Sequence, residues 1–154
     1  MADDSGRRVV ASNRKARHEY EVLDTVEDGL VLKGPEVKSV RDGKVAFQDA
    51  FARIDGGEAW LHSFHISPYE QANIFNTDPI RPRKLLLNKD EIRRLAAKVE
   101  EKGLTLVPLD LYFRRGVAKM TIAVARGRKL HDKREKLKKQ TQDREAQRAI
   151  QGAR

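Results

Sequence analysis

The regular spacing of large apolar side chains stops near residue 125, which limits how much of the chain can build a core. From residue 130 to residue 150, the large apolar side chains are Leu130, Leu137 and Ile150. Three such side chains in 21 residues bury too little surface to offset the entropy lost when the segment becomes ordered. Most other residues there are good helix formers, and none is Pro or Gly. We therefore predict a tail that is disordered when free and able to become helical against a polyanion.

Positive charge is concentrated at the two ends of the chain. Residues 126–154 contain 11 basic and 4 acidic residues, and residues 1–17 contain 5 basic and 2 acidic residues. The intervening residues 18–125 contain 16 basic and 17 acidic residues, although the whole chain carries a net charge of +9. Basic segments beside a neutral domain are typical of proteins that bind nucleic acid. A role in solubility alone is the alternative, but it does not require this segregation.

These patterns divide the chain into three parts: a flexible N-terminal arm at 1–12, a folded domain at 13–126 and a basic tail at 127–154. No apolar run approaches the ~20 residues needed to cross a bilayer. No apolar segment follows Met1–Asp4, so we predict no secretory signal. The chain has no cysteine, which excludes disulfides and cysteine metal ligands. We expect a soluble, cytoplasmic protein with no membrane partner.

The first half of the domain is predicted to consist of short strands separated by turns. The predicted strands lie at 20–23, 30–32, 45–54 and 59–62. A turn is predicted at Glu27–Gly29, and another at Asp55–Gly57. Gly34-Pro35 begins a short helix, since Pro is tolerated in the first helical turn, and Val37 and Val40 are predicted to face inward. In the strand at 45–54, Phe47 and Phe51 are predicted to share one face.

The second half contains the clearest helix, at 88–103. Asn88 can cap it, and Glu91 can reach back to the Asn88 amide. Apolar side chains recur at helical spacing, at Ile92, Leu95, Ala96 and Val99. Gly103 suits the left-handed position that ends a helix. Two strands follow, at 104–113 and 117–125, joined by Arg114-Arg115-Gly116; the second alternates as a half-buried strand does.

About six short strands and two or three helices predict a mainly β domain with flanking helices. An OB-like, closed or nearly closed antiparallel β-barrel is the first interpretation, because closure removes exposed strand edges. Barrels of this kind often present a face to oligonucleotides. An open α+β sheet is the alternative that the pattern leaves open.

No motif in the sequence predicts catalysis. There is no Walker-type phosphate loop and no dinucleotide fingerprint. His62 and His65 have a spacing that could suit a metal ion, but they lie at the end of a strand without an evident third ligand, so we interpret them as ordinary histidines. We therefore predict a protein that is not an enzyme and that has no metal or other cofactor.

Cations within the domain cluster at two places. One cluster is Asn13-Arg14-Lys15-Ala16-Arg17-His18, and the other is Arg81-Pro82-Arg83-Lys84. Lys119 is a further cation, in a strand of otherwise apolar or small residues. Such clusters would follow an RNA backbone, with an affinity that falls as salt rises. Aromatic residues make up only 6% of the chain, which favours recognition of a folded RNA by shape and phosphates over stacking on splayed bases.

The sequence resembles the SsrA-binding protein (SmpB) family in several segments that occur in the same order. They are Asn13–His18, Gly34–Ser39, His65–Gln71, Asp78-Pro79 through Arg83–Leu87, Lys102–Leu109 and Asp132–Arg134. The resemblance runs from about residue 11 to residue 150. Two loop positions depart from the common pattern: Ala72 stands where many members have Gly, and Thr77 where His is common.

The resemblance implies a bacterial translation-rescue factor with an OB-like barrel. Members of this family bind the tRNA-like domain of transfer-messenger RNA. They accompany the alanyl-charged RNA, with elongation factor Tu, into stalled ribosomes for trans-translation. The tail is implied to enter the empty mRNA channel beyond the decoding centre and to become helical there. A ribosomal protein with a basic extension bound to ribosomal RNA is the runner-up, and a small OB-fold enzyme or nuclease is third.

The cation clusters and the resemblance together give the candidate site residues. The RNA-binding candidates are Asn13, Arg14, Lys15, Arg17, Glu27, Arg83, Lys84, Leu86, Asn88 and Lys119. The candidates for ribosome binding in the tail are Lys129, His131, Asp132, Lys133, Arg134, Lys136 and Lys138. Glu27 is electrostatically unexpected on an RNA surface; it could accept hydrogen bonds from base amino groups or orient neighbouring cations. Leu86 could be a core residue and Asn88 a helix cap.

Overall fold

The computed structural model describes residues 6–70, 72, 76–100 and 103–128. The elements in that part of the chain are β1 (Arg7–Ser12), α1 (Arg14–Glu19), β2 (Tyr20–Leu30), α2 (Gly34–Arg41), β3 (Val45–Ala46), β4 (Phe51–Asp55), β5 (Glu58–His62), β6 (His65–Ile66), β7 (Arg83–Leu86), α3 (Lys89–Glu100), β8 (Leu104–Arg114) and β9 (Val117–Gly127). No helix among the described residues is long and apolar enough to cross a membrane. The predicted tail helix lies outside the described residues.

Six strands are joined into a closed ring of antiparallel pairs. Around the ring, β8 pairs with β4, β4 with β5, β5 with β7, β7 with β2, β2 with β9, and β9 again with β8. β1 pairs with a second part of β8, and β3 and β6 form a separate two-stranded sheet. This closed, mainly β arrangement with three helices confirms the predicted fold class rather than the open α+β sheet.

Two apolar clusters hold the domain together. The main cluster fills the ring, and its fully buried members include Leu61, Leu85 and Met120. Leu95 of α3 packs into the same cluster. A second cluster lies under α1 and contains Ala16, Val107, Leu109, Ala123 and Ala125. The C-terminal half of β9 is therefore buried on both faces, whereas its alternating sequence predicted burial on one face.

β2 is continuous, so the turn predicted at Glu27–Gly29 is wrong. The strand pairs with β9 over almost its whole length, from Tyr20 opposite Gly127 to Gly29 opposite Lys119. These ladder hydrogen bonds outweigh the local turn preference of Gly29. The glycine serves a close approach instead, since a Cβ atom there would lie 3.3 Å from the Leu86 side chain.

The strand predicted at 45–54 is broken by a turn. Gln48 has a positive φ of 48°, and the amide of Ala50 donates to the carbonyl of Phe47 over 2.7 Å. Phe47 is buried, whereas Phe51 is 38% exposed, so the two rings do not share a face. Burial of Phe47 and Ala50 fixes the turn and separates β3 from β4.

Residues 7–12 were assigned to the flexible arm, and the structure corrects this. They form β1, which pairs with β8 from Arg7 opposite Arg114 to Ser12 opposite Asp110. β8 pairs with β4 only near Leu106. The same edge of β8 is therefore free at residues 110–114, and β1 forms by pairing with it. Residues 1–5 lie outside the described part of the chain.

The helix and hairpin predictions at 88–125 are confirmed. Asn88 Oδ1 accepts from the Glu91 amide at 2.8 Å, and Glu91 Oε1 accepts from the Asn88 amide at 3.2 Å, which is the predicted capping box. β8 and β9 form a hairpin across Arg115 and Gly116, which both have positive φ. The Gly34-Pro35 helix start is also confirmed, and Val40 is fully buried while Val37 is half-buried.

Candidate nucleic-acid interface

A row of directly paired residues crosses four strands on the outer face of the ring. Leu86 is opposite Gly29, Gly29 is opposite Lys119, and Lys119 is opposite Tyr112. Paired residues on adjacent strands face the same side of a sheet, so the two predicted residues Leu86 and Lys119 flank the glycine. Leu86 is 55% exposed, which rules out the core role considered for it. We call these four residues the Gly29 row.

Glu27 lies on the same face, two residues before Gly29 in β2. The Tyr112 hydroxyl donates to Glu27 Oε2. Arg114 Nη1 lies 3.0 Å from Glu27 Oε2 and 3.1 Å from Oε1. The Arg7 guanidinium carbon lies 3.8 Å from the centre of the Tyr112 ring. The Glu27 carboxylate thus has cationic and hydrogen-bonding partners within the protein, and this supports the second of its two possible roles, the orientation of neighbouring cations.

Tyr112 remains a hydrogen-bond donor at neutral pH. Burial and the hydrogen bond to Glu27 raise the pKa of Tyr112 to about 12. The proton that it donates to the carboxylate is therefore retained, and Glu27 keeps a fixed position. Neither Tyr112 nor Arg114 was predicted as a site residue.

Asp28 is a buried carboxyl directly behind this face. It is 1% exposed, and neither carboxyl oxygen has a hydrogen-bond partner among the described atoms. Burial, together with the charges of Glu91 and Glu27, raises the pKa of Asp28 to about 9, although Lys119 opposes the shift. Asp28 is therefore neutral at pH 7. This burial was not predicted, because a turn at 27–29 would have placed Asp28 in solvent.

The cations of α1 form a second basic surface. Arg14, Lys15 and Arg17 are exposed. Arg17 Nη2 donates to Asp110 Oδ2 at 2.8 Å, and Arg7 Nη2 lies 3.5 Å from the same oxygen. Asp110 therefore joins the α1 surface to the Tyr112 side of the Gly29 row.

Asn13 does not belong to this exposed surface, contrary to its prediction as an RNA-binding residue. It is only 7% exposed. Its Oδ1 accepts from the Ala16 amide at 3.1 Å, and its Nδ2 donates to the carbonyl of Pro108 at 2.9 Å. Both polar ends of the side chain are used to begin α1 and to attach it to β8. Asn is a preferred N-cap residue for this reason.

Arg128 ties the end of the described chain to the end of α1. Its Nη2 donates to the carbonyls of Arg17 and Tyr20 at 3.1 and 3.2 Å, and its Nε donates to the carbonyl of His18 at 3.2 Å. A cation is favourable where helix carbonyls lack partners. The chain therefore leaves the domain beside the α1 cations. Arg128 was predicted only as part of the basic tail.

Arg83 is fully buried, so its predicted role as an RNA-binding cation is wrong. Its Nε donates to Glu36 Oε2 at 2.7 Å, its Nη1 to the carbonyl of Phe64 at 2.6 Å, and its Nη2 to the carbonyl of Pro79 at 3.0 Å. The reason is register: Arg83 is opposite Leu61, which faces the interior. Arg81 also binds Glu36, so one carboxylate holds two guanidinium groups.

This carboxylate is ionised despite its burial. Burial alone would raise the pKa of Glu36, but hydrogen bonds from Arg81, the Lys33 amide and Arg83 lower it overall. Glu36, Arg81 and Arg83, which we call the Glu36 cluster, therefore attach β7 and the residues just before it to α2. Among the four residues of the predicted second cluster, Lys84 alone is a cation that faces outward from the ring; it is half-buried, and its Nζ lies 3.2 Å from Glu58.

Asn88, the histidines and the tail residues are the remaining candidates from the sequence. Asn88 is exposed at the start of α3, two residues after Leu86, where it caps the helix. Among the described residues, no group of three His, Asp or Glu side chains is placed to hold a metal ion. His62 stacks on Phe51. The tail candidates lie outside the described residues: Lys129, His131, Asp132, Lys133, Arg134, Lys136 and Lys138.

Similarity to known proteins covers nearly the whole chain. Residues 10–152 match the family described as SmpB protein. The SsrA-binding protein of Synechococcus elongatus is 53% identical over 99% of this chain and 100% of its own length. That of Desulforudis audaxviator is 57% identical over 94% of this chain and 95% of its own length.

A solved structure is similar as well. It is described as "tmRNA-SmpB: a journey to the center of the bacterial ribosome", and the matching chain is 56% identical to this one. The superposition has a TM-score of 0.67 and covers 78% of this chain and 85% of the other. With a closed β ring, an outward Gly29 row and a match over residues 10–152, this chain belongs to the SmpB family.

Proposed function

We propose that this protein binds the tRNA-like domain of transfer-messenger RNA and delivers it to stalled ribosomes for trans-translation. The relatives are named for binding SsrA, and the similar solved chain belongs to a tmRNA–SmpB assembly on the bacterial ribosome. The single observation that carries the proposal is the Gly29 row, because its register brings Leu86 and Lys119 together beside Glu27. Such a factor acts without catalysis and works in the cytoplasm, where ribosomes are.

The Gly29 row and the neighbouring Glu27–Arg114 ion pair offer contacts of two kinds. Lys119 and Arg114 supply positive charge for phosphates, which give affinity without reading sequence. Leu86 supplies exposed apolar surface beside Gly29, against which a sugar or base edge can pack. Glu27 contributes indirectly, since it holds Arg114 and Tyr112 in place. This combination suits a folded RNA that is recognised by shape and backbone.

The α1 surface is the second part of the proposal. Arg14, Lys15 and Arg17 lie where Arg128 directs the chain away from the domain. We assign this surface to RNA and the tail to the ribosome, where the tail enters the empty mRNA channel. The tail residues proposed to act there are Lys129, His131, Asp132, Lys133, Arg134, Lys136 and Lys138. Elongation factor Tu is the proposed companion of the alanyl-charged complex.

Fluorescence anisotropy tests the RNA assignment. The full chain is titrated with the labelled tRNA-like domain of transfer-messenger RNA, and an elongator tRNA of equal length competes at several salt concentrations. We expect tight binding with a clear preference for the tRNA-like domain. Equal and steeply salt-dependent binding to both RNAs would overturn the proposal and would favour the ribosomal-protein alternative.

A further inference from the structure

A solvent-facing cleft lies between α1 and the start of β4, and it contains no residue of the Gly29 row. Its volume is about 270 Å³. It is lined from α1 and its flanks, from the turn before β4 and from β8, by Asn13, Lys15, Ala16, Glu19, Tyr20, Gln48, Asp49, Ala50, Phe51, Thr105 and Val107. Pockets for drug-sized ligands begin at ~300 Å³, so this cleft has room for one flat ring system rather than for a larger ligand.

Phe51 gives the cleft an exposed aromatic wall. The ring is 38% exposed, although most large apolar side chains of the domain are buried. It stacks on His62, with 5.2 Å between ring centres and 16° between ring planes. The imidazole supports one side of the Phe51 ring and limits its rotation. An oriented and exposed aromatic ring is the usual platform for an unstacked nucleobase.

The turn before β4 presents an amide to the same cleft. Gln48 adopts a left-handed backbone conformation, with φ at 48°, which is strained for a non-glycine residue. Phe47 and Ala50 are buried on either side and hold the turn in this strained form. Gln48 itself is exposed. Its side-chain amide has donors and an acceptor, which can pair with the edge of a base.

A cation stands beside this aromatic and amide pair. Lys15 Nζ lies 3.4 Å from Asp49 Oδ1, and both side chains are largely exposed. Surface ion pairs of this kind contribute little to stability, because water and salt screen them. A phosphate can therefore displace Asp49 from Lys15 at little cost, and the ammonium group becomes its counter-ion.

From these contacts we propose that the cleft binds one unstacked nucleobase of an RNA. The base stacks on Phe51, its edge faces Gln48, and its phosphate is neutralised by Lys15. The inference rests on the proposed RNA-binding function and adds a base-stacking site to it, although the low aromatic content favoured recognition without stacking. Either the tRNA-like RNA or ribosomal RNA can supply such a base.

Four variants of the full chain test the cleft. Phe51→Leu removes the ring and keeps an apolar side chain, whereas Phe51→Tyr keeps the ring. Gln48→Gly removes the amide and relieves the backbone strain. Ile80→Ala is the matched control, because Ile80 is also a large, exposed apolar residue and does not line the cleft. Affinity is measured for the isolated tRNA-like RNA and, separately, for ribosomes that receive the preformed protein–RNA complex. Thermal melting monitors the fold.

We expect Phe51→Leu to weaken binding roughly 5- to 150-fold in one of the two measurements, as expected for the loss of one stacked base. Phe51→Tyr and Ile80→Ala should stay within about twofold of the unchanged protein. Gln48→Gly should weaken the same measurement while the melting temperature stays equal or rises. A purely structural role would move affinity and melting temperature in the same direction.

The two measurements identify the source of the base. A loss for the isolated RNA assigns it to the tRNA-like domain, and a loss only for ribosomes assigns it to ribosomal RNA. If Phe51→Leu binds as tightly as the unchanged protein in both measurements, the proposal that the cleft binds a base is wrong, whereas the proposed function is unaffected. If the unchanged protein binds neither RNA nor ribosomes, the proposed function fails and the cleft proposal fails with it.

Discussion

Arg114 and Glu27 form an ion pair between residues that are 87 positions apart, with 3.0 Å between Nη1 and Oε2. Because Tyr112 donates to the same carboxylate, we predict that Glu27 contributes to RNA binding mainly through Arg114. Glu27→Ala and Arg114→Ala should each weaken binding by about 1–3 kcal/mol, and the double variant should lose little more than either alone. A double-mutant cycle in the anisotropy assay measures this coupling.

Glu27→Gln is the matched control for that cycle. The amide oxygen can still accept from Tyr112, but it lacks the charge that holds the guanidinium. We expect it to have most of the effect of Glu27→Ala. Additive losses in the cycle would contradict the prediction and would mean that Glu27 contacts the RNA itself.

Lys119 is predicted to contact a phosphate. It lies on the outer face, opposite Gly29 and Tyr112. Lys119→Ala should weaken binding and reduce the slope of log affinity against log salt by about 1. Lys44→Ala serves as the control, because Lys44 is exposed but belongs to no strand of the Gly29 row. An unchanged slope in Lys119→Ala would place the ammonium group away from the RNA backbone.

The hairpin explains why part of this face could be predicted. The Arg115-Gly116 turn sets Arg114 opposite Val117, and counting back in register places Tyr112 opposite Lys119. The sequence therefore contained enough information to find Tyr112 and Arg114, although neither was proposed. The pairing of Gly29 with Leu86 and Lys119 could not be predicted by counting from a turn, because it joins strands that are distant in sequence.

The errors have a common physical cause. Gly29 and Arg83 were interpreted from their sequence neighbours, whereas long-range pairing decides their surroundings. Gly29 was assigned to a turn, but it lies within a strand against Leu86. Arg83 was grouped with exposed cations, but its register places it in the interior with Glu36. The cap of α3 was predicted correctly, because Asn88 and Glu91 interact within one helical turn.

Asp28 is predicted to make stability depend on pH. Burial raises its pKa from an ordinary 3.8 to about 9, so the folded state binds the proton more tightly than the unfolded state. The stability that the protonated Asp28 contributes is therefore fully present below about pH 3.8, and this contribution is lost as pH rises toward 9. Asp28→Asn removes this titration. Its free energy of unfolding should exceed that of the unchanged protein by a margin that grows by about 1.4 kcal/mol per pH unit.

Urea unfolding between about pH 5 and pH 8 measures that margin. Asp55→Asn is the control, because Asp55 is exposed in the β4–β5 hairpin, and its margin should not change with pH. A constant margin for Asp28→Asn would show that Asp28 is ionised in the folded protein across this range.

Glu36 is predicted to be a stability residue rather than an RNA-binding one. Glu36→Gln leaves the buried guanidinium of Arg83 without a counter-ion, which should cost about 3–5 kcal/mol of unfolding free energy. Glu58→Gln breaks the partly exposed pair with Lys84 and should cost less than about 1 kcal/mol. Denaturant titration compares the two variants. Equal losses would mean that Arg83 is not held in the interior by Glu36.

The last prediction separates the domain from its tail. A chain that ends at Arg128 keeps the Gly29 row, the Glu36 cluster and the contacts from Arg128 to the carbonyls of α1. It should bind the tRNA-like RNA within about twofold of the full chain, since the contacts that we assign to this RNA are retained. It should fail in a reconstituted assay of trans-translation on stalled ribosomes, because the residues assigned to the mRNA channel are gone. Arg128→Ala in the full chain keeps the tail and the backbone hydrogen bond to the Glu19 carbonyl, but it removes the guanidinium contacts at the end of α1. Its rescue activity should therefore lie between those of the full and the shortened chain, while RNA binding stays intact. If the shortened chain loses RNA binding outright, the tail must contact the tRNA-like RNA directly, and the division of roles between domain and tail is wrong.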